Sequence, residues 1–192
     1  MKIVAIIAVT MGLTGTAWTS QRICVYVDSN NGPMEVIALA KDVSTRMLAT
    51  AGVSVEWRPV VPGGAQTVPG CRTIVVEFER NTAPDRHTGA LAYARPYEGV
   101  HIVVLYDRIL TRTRDSSLHR PTILAHVMTH EIAHVLQGIE RHTATGVMKA
   151  RWDAEDFRNM TFSPLPFTSS DIDLIHMALQ QRETGQAAPP VL

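Results

Sequence analysis

Residues 130–134 combine two histidines and a glutamate at a spacing that can bind a metal ion. His130, Glu131 and His134 form an H-E-x-x-H pattern, and on a helix the histidines at positions i and i+4 lie on one face. Two imidazoles so placed can bind one Zn²⁺, and the carboxylate beside the first can act as a general base toward a water molecule on the ion. The alternative interpretation is a surface helix that carries these letters by chance.

A third ligand must come from beyond this helix, because a catalytic zinc usually has three protein ligands and one open position. Gly138 predicts the end of the helix and lets the chain fold back, and His142 follows four residues later. We therefore expect His142 to be the third ligand of a single zinc ion. Glu155 is the rival ligand, and an exposed loop histidine is the alternative interpretation of His142.

Two further residues have candidate roles near this site. Met148 follows the expected third ligand, directly after Gly146 and Val147. A methionine beneath a zinc site can form a soft apolar floor for the ligating rings, whereas a loop methionine alone is usually a core residue. His126 lies four residues before His130, and we interpret it as a buried helix histidine rather than a partner of the ligands.

The elements that must position these residues follow from hydrophobic periodicity. Alternating and β-branched residues predict strands at 23–28, 53–58, 73–79, 90–94 and 101–106. Apolar residues at helical spacing predict helices at 34–50, at 121–137 and from an N-cap at Ser169 or Ser170 to 182. The order β-α-β-β predicts a mainly parallel sheet with a right-handed crossover.

Composition limits the classes of partner. The chain has 192 residues, with 18 acidic and 18 basic side chains and a formal net charge of zero. This length predicts one domain with a substantial core. Because no basic block stands out, we expect no nucleic-acid partner.

The first residues have the features of an export signal. Residues 1–17 begin with a positive charge, continue with an apolar stretch too short to span a bilayer comfortably, and end with small residues at Ala17. We expect cleavage after Ala17, a secreted or periplasmic chain without stable membrane insertion, a domain at 18–185 and a flexible tail at 186–192. An uncleaved anchor and a buried first strand are the alternatives.

The two cysteines suit an exported protein. Cys24 and Cys71 each stand at the start of a predicted strand. If those strands are parallel neighbours, both thiols lie at the same end of the sheet and can form a disulfide. Two free buried thiols are the alternative.

The metal-site pattern resembles a known clan. The stretch from His130 to His142, H-E-x-x-H-x-x-x-G-x-x-x-H, followed by Met148, resembles the metzincin zinc metallopeptidases, whose pattern is H-E-x-x-H-x-x-G-x-x-H with a methionine turn. Here the glycine stands one residue later and the last histidine two residues later. The turn after the helix must therefore be wider than in the usual metzincin.

A second segment is similar to the matrixin branch of that clan. Residues 89–96, GALAYARP, are similar to the matrixin edge strand, which holds the peptide substrate by backbone pairing. The resemblance implies this role for Ala90, Leu91, Ala92, Tyr93 and Ala94. Tyr93 stands where matrixins commonly have a histidine for a second zinc, and we interpret the nearby His87 and His101 as surface residues. The resemblance also makes Lys149, Arg151 and Trp152 candidates for a substrate-pocket wall.

The resemblance implies an α+β, metzincin-like (zincin) fold. We expect a twisted, mostly parallel mixed sheet with an antiparallel edge strand, two long helices in an upper part, and a C-terminal helix in a small lower part. The implied function is a secreted zinc-dependent metalloendopeptidase acting on peptides or proteins through a zinc-bound water, with Glu131 as general base. The alternatives are a zinc amidohydrolase acting on a non-protein amide and a non-catalytic secreted binding module.

Overall fold

The structure is a computed structural model. It describes residues 21–183 apart from 31, 62–63, 84–87 and 95–99. The expected export signal at 1–17 and the tail at 186–192 lie outside the described residues, as does His87.

Five strands form one sheet in the described part of the chain. They are β1 (Gln21–Val27), β2 (Val53–Pro59), β3 (Arg72–Glu79), β4 (Ala92–Ala94) and β5 (His101–Leu105). Their order across the sheet is β2-β1-β3-β5-β4. All neighbours pair in parallel except β4, which runs antiparallel to β5 and forms one edge. The predicted mixed, mostly parallel sheet with an antiparallel edge strand is therefore confirmed.

Five α-helices accompany the sheet among the described residues. They are α1 (Met34–Thr50), α2 (Tyr106–Arg112), α3 (Arg120–Gln137), α4 (Ala154–Met160) and α5 (Ser169–Glu183), with a 3₁₀ turn at Ser117–His119. The long helices α1, α3 and α5 match the three predicted helices. No helix in the described part of the chain combines the length and apolar character needed to cross a membrane.

Several element boundaries differ from the predictions. The edge strand is shorter than expected, because Ala90 and Leu91 precede it. Tyr106, predicted to end a strand, begins α2 instead. The N-cap of α5 is Thr168 rather than either predicted serine, since its hydroxyl oxygen accepts the Asp171 N–H at 3.3 Å and its own N–H donates to the Asp171 carboxylate at 2.9 Å.

The short helices α2 and α4 were not predicted. Each has seven residues, so each offers about two turns of periodic signal, too few to separate from irregular chain. The helix α4 nevertheless has a strong local signal at its start. Asp153 accepts hydrogen bonds from the backbone of Glu155 and Asp156, and the Asp156 carboxylate contacts the Asp153 N–H in return, which completes a capping box.

The helix α3 lies in the centre of the core. Every residue from Ile123 to Gln137 is buried, which is the pattern of a helix enclosed on all sides. On one side it packs against α1, where the Ser44 and Thr129 hydroxyls are 2.9 Å apart. This enclosure fixes the axis of the helix that carries the H-E-x-x-H residues.

A disulfide joins β1 to the chain just before β3. Cys24 and Cys71 have Cα atoms 5.7 Å apart and are separated by 47 positions in the sequence. The two strands are parallel neighbours, with Ile23 opposite Arg72, so the sulfurs meet at one end of the sheet, where the sequence pattern puts them.

Replacing both cysteines should destabilise the protein substantially. Because a loop of this length loses much of its freedom when cross-linked, the double variant Cys24→Ser/Cys71→Ser should lose about 4 kcal/mol of unfolding free energy in a urea titration. Reduced wild-type protein is the matched control and should show a similar loss. A loss below about 1 kcal/mol in both samples would contradict a structural role for the bond.

Candidate metal centre

Three histidine rings converge at the C-terminal end of α3. His134 Nε2 lies 3.0 Å from His130 Nε2 and 3.2 Å from His142 Nε2. One nitrogen from each ring lies within 4.8 Å of the other two. The structure thus brings together the three residues that the sequence predicts as ligands.

Backbone carbonyls determine which nitrogen of the first two rings carries hydrogen. His130 Nδ1 lies 2.8 Å from the Val147 carbonyl oxygen, and His134 Nδ1 lies 3.1 Å from that of Ile139. A carbonyl oxygen only accepts, so each Nδ1 donates and each neutral ring keeps a bare lone pair on Nε2. Burial lowers the pKa of His130 to about 3 and of His134 to about 4, so both rings are neutral at pH 7.

This arrangement fits a tetrahedral metal ion. Two lone pairs that face each other at 3.0 Å repel, and a cation between them removes the repulsion. With Zn–N bonds of about 2.0–2.1 Å, tetrahedral ligands are separated by about 3.3 Å, close to the observed Nε2 separations. Three imidazoles with no thiolate form a donor set typical of catalytic zinc with one open position.

The end of α3 is held by two arginines. Arg72 donates to the Val135 carbonyl and Arg182 donates to the Leu136 carbonyl, each at 3.0 Å. These are carbonyls of the last helical turn, which lack partners within the helix. Gly138 then turns the chain with a positive φ of 72°, a conformation that favours glycine. The helix therefore ends in a defined position, four residues before His142.

The returning loop is fixed to α5. Arg141, next to His142, contacts the Asp171 carboxylate at 3.5 Å and the Ser170 hydroxyl at 3.3 Å. Asp171 is only 1% exposed, so the carboxylate of this ion pair is shielded from solvent. The contact explains how a turn wider than that of the usual metzincin still brings His142 to the other rings.

The turn at residues 146–148 contacts His130 through the Val147 carbonyl. A Cβ atom on Gly146 would overlap the Pro166 carbonyl oxygen, and the Val147 N–H donates to that same oxygen at 2.9 Å. The turn thereby presents the Val147 carbonyl to the His130 ring. Met148 is fully buried in the main core cluster, consistent with an apolar floor.

Glu131 is a buried acid beside the histidines. It is 8% exposed, and burial raises its pKa to about 8. The Ala94 N–H of β4 opposes this shift by donating a hydrogen bond to the carboxylate. A divalent cation on the adjacent rings would favour the charged form further, which is the form that can accept a proton.

The site opens into a cleft bordered by β4. Its volume is about 550 Å³, and it is lined by the predicted edge-strand residues 90–94 and by the three predicted ligands, His130, His134 and His142. Leu91 O accepts from Leu105 N at 2.8 Å. Because antiparallel pairing alternates, the backbone groups of Ala92 and Ala94 point away from β5. The Ala94 N–H accordingly reaches Glu131, and the other backbone groups of Ala92 and Ala94 also face away from β5.

The proposed pocket-wall residues also line the cleft. Lys149, Arg151 and Trp152 border it, but Lys149 is neutralised by Asp153 and Asp156, each at 2.6 Å. Arg151 is exposed.

His126 is a packing residue and not a ligand. Its Nδ1 lies 2.7 Å from the Thr122 carbonyl oxygen, and its Nε2 accepts the Leu165 N–H at 3.0 Å, so both ring nitrogens are occupied. Trp152 packs edge-on against it, with ring centres 6.2 Å apart, and edge-on against His130 at 5.6 Å. His126 therefore supports the site through Trp152.

The remaining candidates lie away from the metal centre. Glu155 is exposed in the first turn of α4 and is not part of the histidine cluster. His101 is exposed and lies 3.9 Å from a Glu77 oxygen, which agrees with its interpretation as a surface residue.

Sequence reasoning missed the groups that orient the ligands. The carbonyls of Val147 and Ile139 have no signature, because every residue has one. Arg141 and Asp171 are an ordinary opposite-charge pair whose contact across 30 positions depends on the tertiary fold. Asp171 lies in the first turn of α5, where a carboxylate also favours the helix dipole, so its position in the sequence does not reveal the contact with Arg141.

Comparisons with known proteins identify the fold. No family model and no curated protein matches the chain. Among solved structures, archaemetzincin from Methanopyrus kandleri is similar with a TM-score of 0.56 and 16% identity, over 88% of this chain and 99% of that chain. A zinc-dependent peptidase from Methanocorpusculum labreanum (strain Z) has a TM-score of 0.52 and 11% identity, over 80% of this chain and 99% of that chain. The chain therefore has an archaemetzincin-like zincin fold.

The third ligand can be tested by paired substitutions. His142→Ala should lower zinc affinity more than about 100-fold, because loss of a ligand exceeds the loss of an outer hydrogen bond. Competition with a chromophoric chelator measures the affinity. Glu155→Ala is the control and should bind zinc like the wild type. The reverse pattern would assign the third position to Glu155.

His126 should make stability depend on pH. Burial lowers its pKa to about 4, whereas the unfolded value is about 6.5. The unfolded state thus binds more protons between these values, and stability falls as pH falls through this window, by on the order of 2–3 kcal/mol. In metal-free protein, urea titrations at several pH values from 7 to 4 give the unfolding free energy as a function of pH. This free energy should fall less steeply with falling pH for His126→Gln than for wild type. Equal slopes would contradict this.

Proposed function

We propose that this protein is a secreted zinc-dependent endopeptidase that hydrolyses peptide bonds in a peptide or protein substrate. The observation that carries the proposal is the convergence of three imidazole Nε2 atoms beside a buried glutamate. The fold neighbour from Methanocorpusculum labreanum is a zinc-dependent peptidase, which supports the same chemistry for this chain.

His130, His134 and His142 would hold the ion. A bound zinc ion supplies Lewis acidity, which acidifies water and polarises an amide carbonyl. The Val147 and Ile139 carbonyls keep the first two rings in the tautomer that presents Nε2, so the ligands are oriented before any ion arrives.

Glu131 is the proposed general base. Its carboxylate accepts a proton from the attacking water and then donates that proton to the leaving amine nitrogen. The buried position keeps the carboxylate close to the histidines and shields it from bulk water. Its hydrogen bond from the Ala94 N–H fixes the carboxylate at the border between α3 and the edge strand.

The edge strand favours a peptide over a small amide. Ala92 and Ala94 lie on a strand that forms one edge of the sheet as described, and an extended peptide can add to such an edge through main-chain hydrogen bonds. A small amide has no use for this edge, and a binding module has no use for a buried glutamate at the metal site. These two alternatives therefore explain less of the structure.

We also propose an extracytoplasmic location. The Cys24–Cys71 disulfide is typical of oxidising compartments, and the first 17 residues have the pattern of an export signal.

Substitution of Glu131 separates catalysis from metal binding. Glu131→Gln should retain one zinc per chain and lose peptide hydrolysis by at least about 100-fold, because no group remains to accept the proton. Metal analysis and digestion of a peptide library measure the two quantities. Glu155→Gln, the same change at an exposed position away from the metal centre, should leave both unaltered. Full activity in Glu131→Gln would contradict the assigned base.

A further inference from the structure

The cleft contains an arginine that the proposed chemistry does not use. Arg112, the last residue of α2, lines the cleft and is exposed. Its guanidinium carbon lies 4.8 Å from the centre of the Phe157 ring. Within the part of the chain that the structure describes, this arginine makes no ion pair or hydrogen bond. No described residue therefore neutralises its charge through an ion pair.

A series of rings connects Arg112 to the metal centre. Phe157 packs edge-on against Trp152 with ring centres 6.2 Å apart, and Trp152 packs edge-on against His130 at 5.6 Å. Since His130 and Trp152 are partly or fully enclosed by the core, this series limits how far Phe157 can move. The guanidinium thus has a supported position on one wall of the cleft that the three candidate ligands also line.

Other charges in the cleft differ from Arg112 in their surroundings. Lys149 is neutralised by two aspartates at 2.6 Å. Arg151 is exposed and stacks on no aromatic ring in the described part of the chain. Glu140 is an exposed acid in the loop that carries His142. Arg112 differs from these residues because the rings of Phe157 and Trp152 connect it to His130. Among the described basic residues that line the cleft, Arg112 is therefore the one that has a fixed support and no neutralising partner.

We infer that Arg112 selects an acidic side chain of the substrate at a position near the cleaved bond, an inference that rests on the proposed peptidase function. An arginine stacked on an aromatic face keeps the edge of its guanidinium free. That edge carries paired N–H groups that match both oxygens of a carboxylate. A carboxylate is therefore the side chain that this wall of the cleft recognises best.

The first test measures cleavage preference. Zinc-loaded wild type, Arg112→Gln and Arg151→Gln each digest the same library of natural peptides, and mass spectrometry identifies the residues around each cut. Wild type should enrich Asp and Glu about five- to tenfold at one position near the cut, a size expected for a charge-assisted hydrogen bond at a partly exposed site. Arg112→Gln should lose the enrichment. Arg151→Gln, with the same change in charge, should keep it.

Two further measurements exclude a merely structural effect. Arg112→Glu should move the enrichment from acidic residues to Lys and Arg, while its zinc content stays at one ion per chain. In the Glu131→Gln background, which binds without cutting, fluorescence anisotropy compares pools of labelled octapeptides with glutamate or glutamine at one position. The glutamate pool should bind about fivefold more tightly, and Arg112→Gln or 0.5 M salt should remove this difference.

The outcomes separate this inference from the proposed function. Cleavage without acidic enrichment, or enrichment that survives Arg112→Gln, overturns the role of Arg112 and leaves the peptidase in place. Equal loss in Arg151→Gln also overturns it, because general charge then explains the preference. If no peptide is cleaved but the glutamate pool binds in a manner that depends on Arg112, the peptidase function is overturned and the recognition of acidic side chains by Arg112 is supported. Absent cleavage with equal binding of both pools overturns both.

Discussion

Three imidazole Nε2 atoms converge within about hydrogen-bond distance of His134, and the rest of the site depends on this constraint. His130 and His134 are held so by carbonyl oxygens at their other nitrogen, and His142 is brought in by a loop fixed through Arg141 to α5. Without a cation, the Nε2 lone pairs of His130 and His134 repel each other. The fold therefore holds, at some cost in stability, an arrangement whose favourable partner is a metal ion.

Burial favours metal binding by the histidines but opposes the ionisation of Glu131. It keeps His130 and His134 neutral, which a metal requires of its ligands. It also raises the pKa of Glu131 to about 8, which disfavours the carboxylate that a base must be. A divalent cation resolves the conflict, because it binds neutral rings and stabilises a nearby negative charge. Metal binding and the active state of Glu131 are thus coupled, and the ion should stabilise the fold.

The sequence predicts the parts of the fold that depend on periodicity and on local stop signals. Gly138 marks the end of the central helix, and the spacing after it gives His142. The boundary at Tyr106 could not be predicted, because an aromatic residue suits either a strand end or the first turn of α2. The Val147 carbonyl has no sequence signature, and the partner of Arg141 lies 30 positions away. What required the structure was the support of the ligands rather than their identity.

The central claim is that one zinc ion binds between the three rings. The most direct measurement is an anomalous difference map from a crystal of the zinc-loaded full chain, collected on either side of the zinc absorption edge. We expect a single peak within about 2.0–2.1 Å of the Nε2 atoms of His130, His134 and His142. A map with no peak among these rings, or with the peak at other residues, would contradict it.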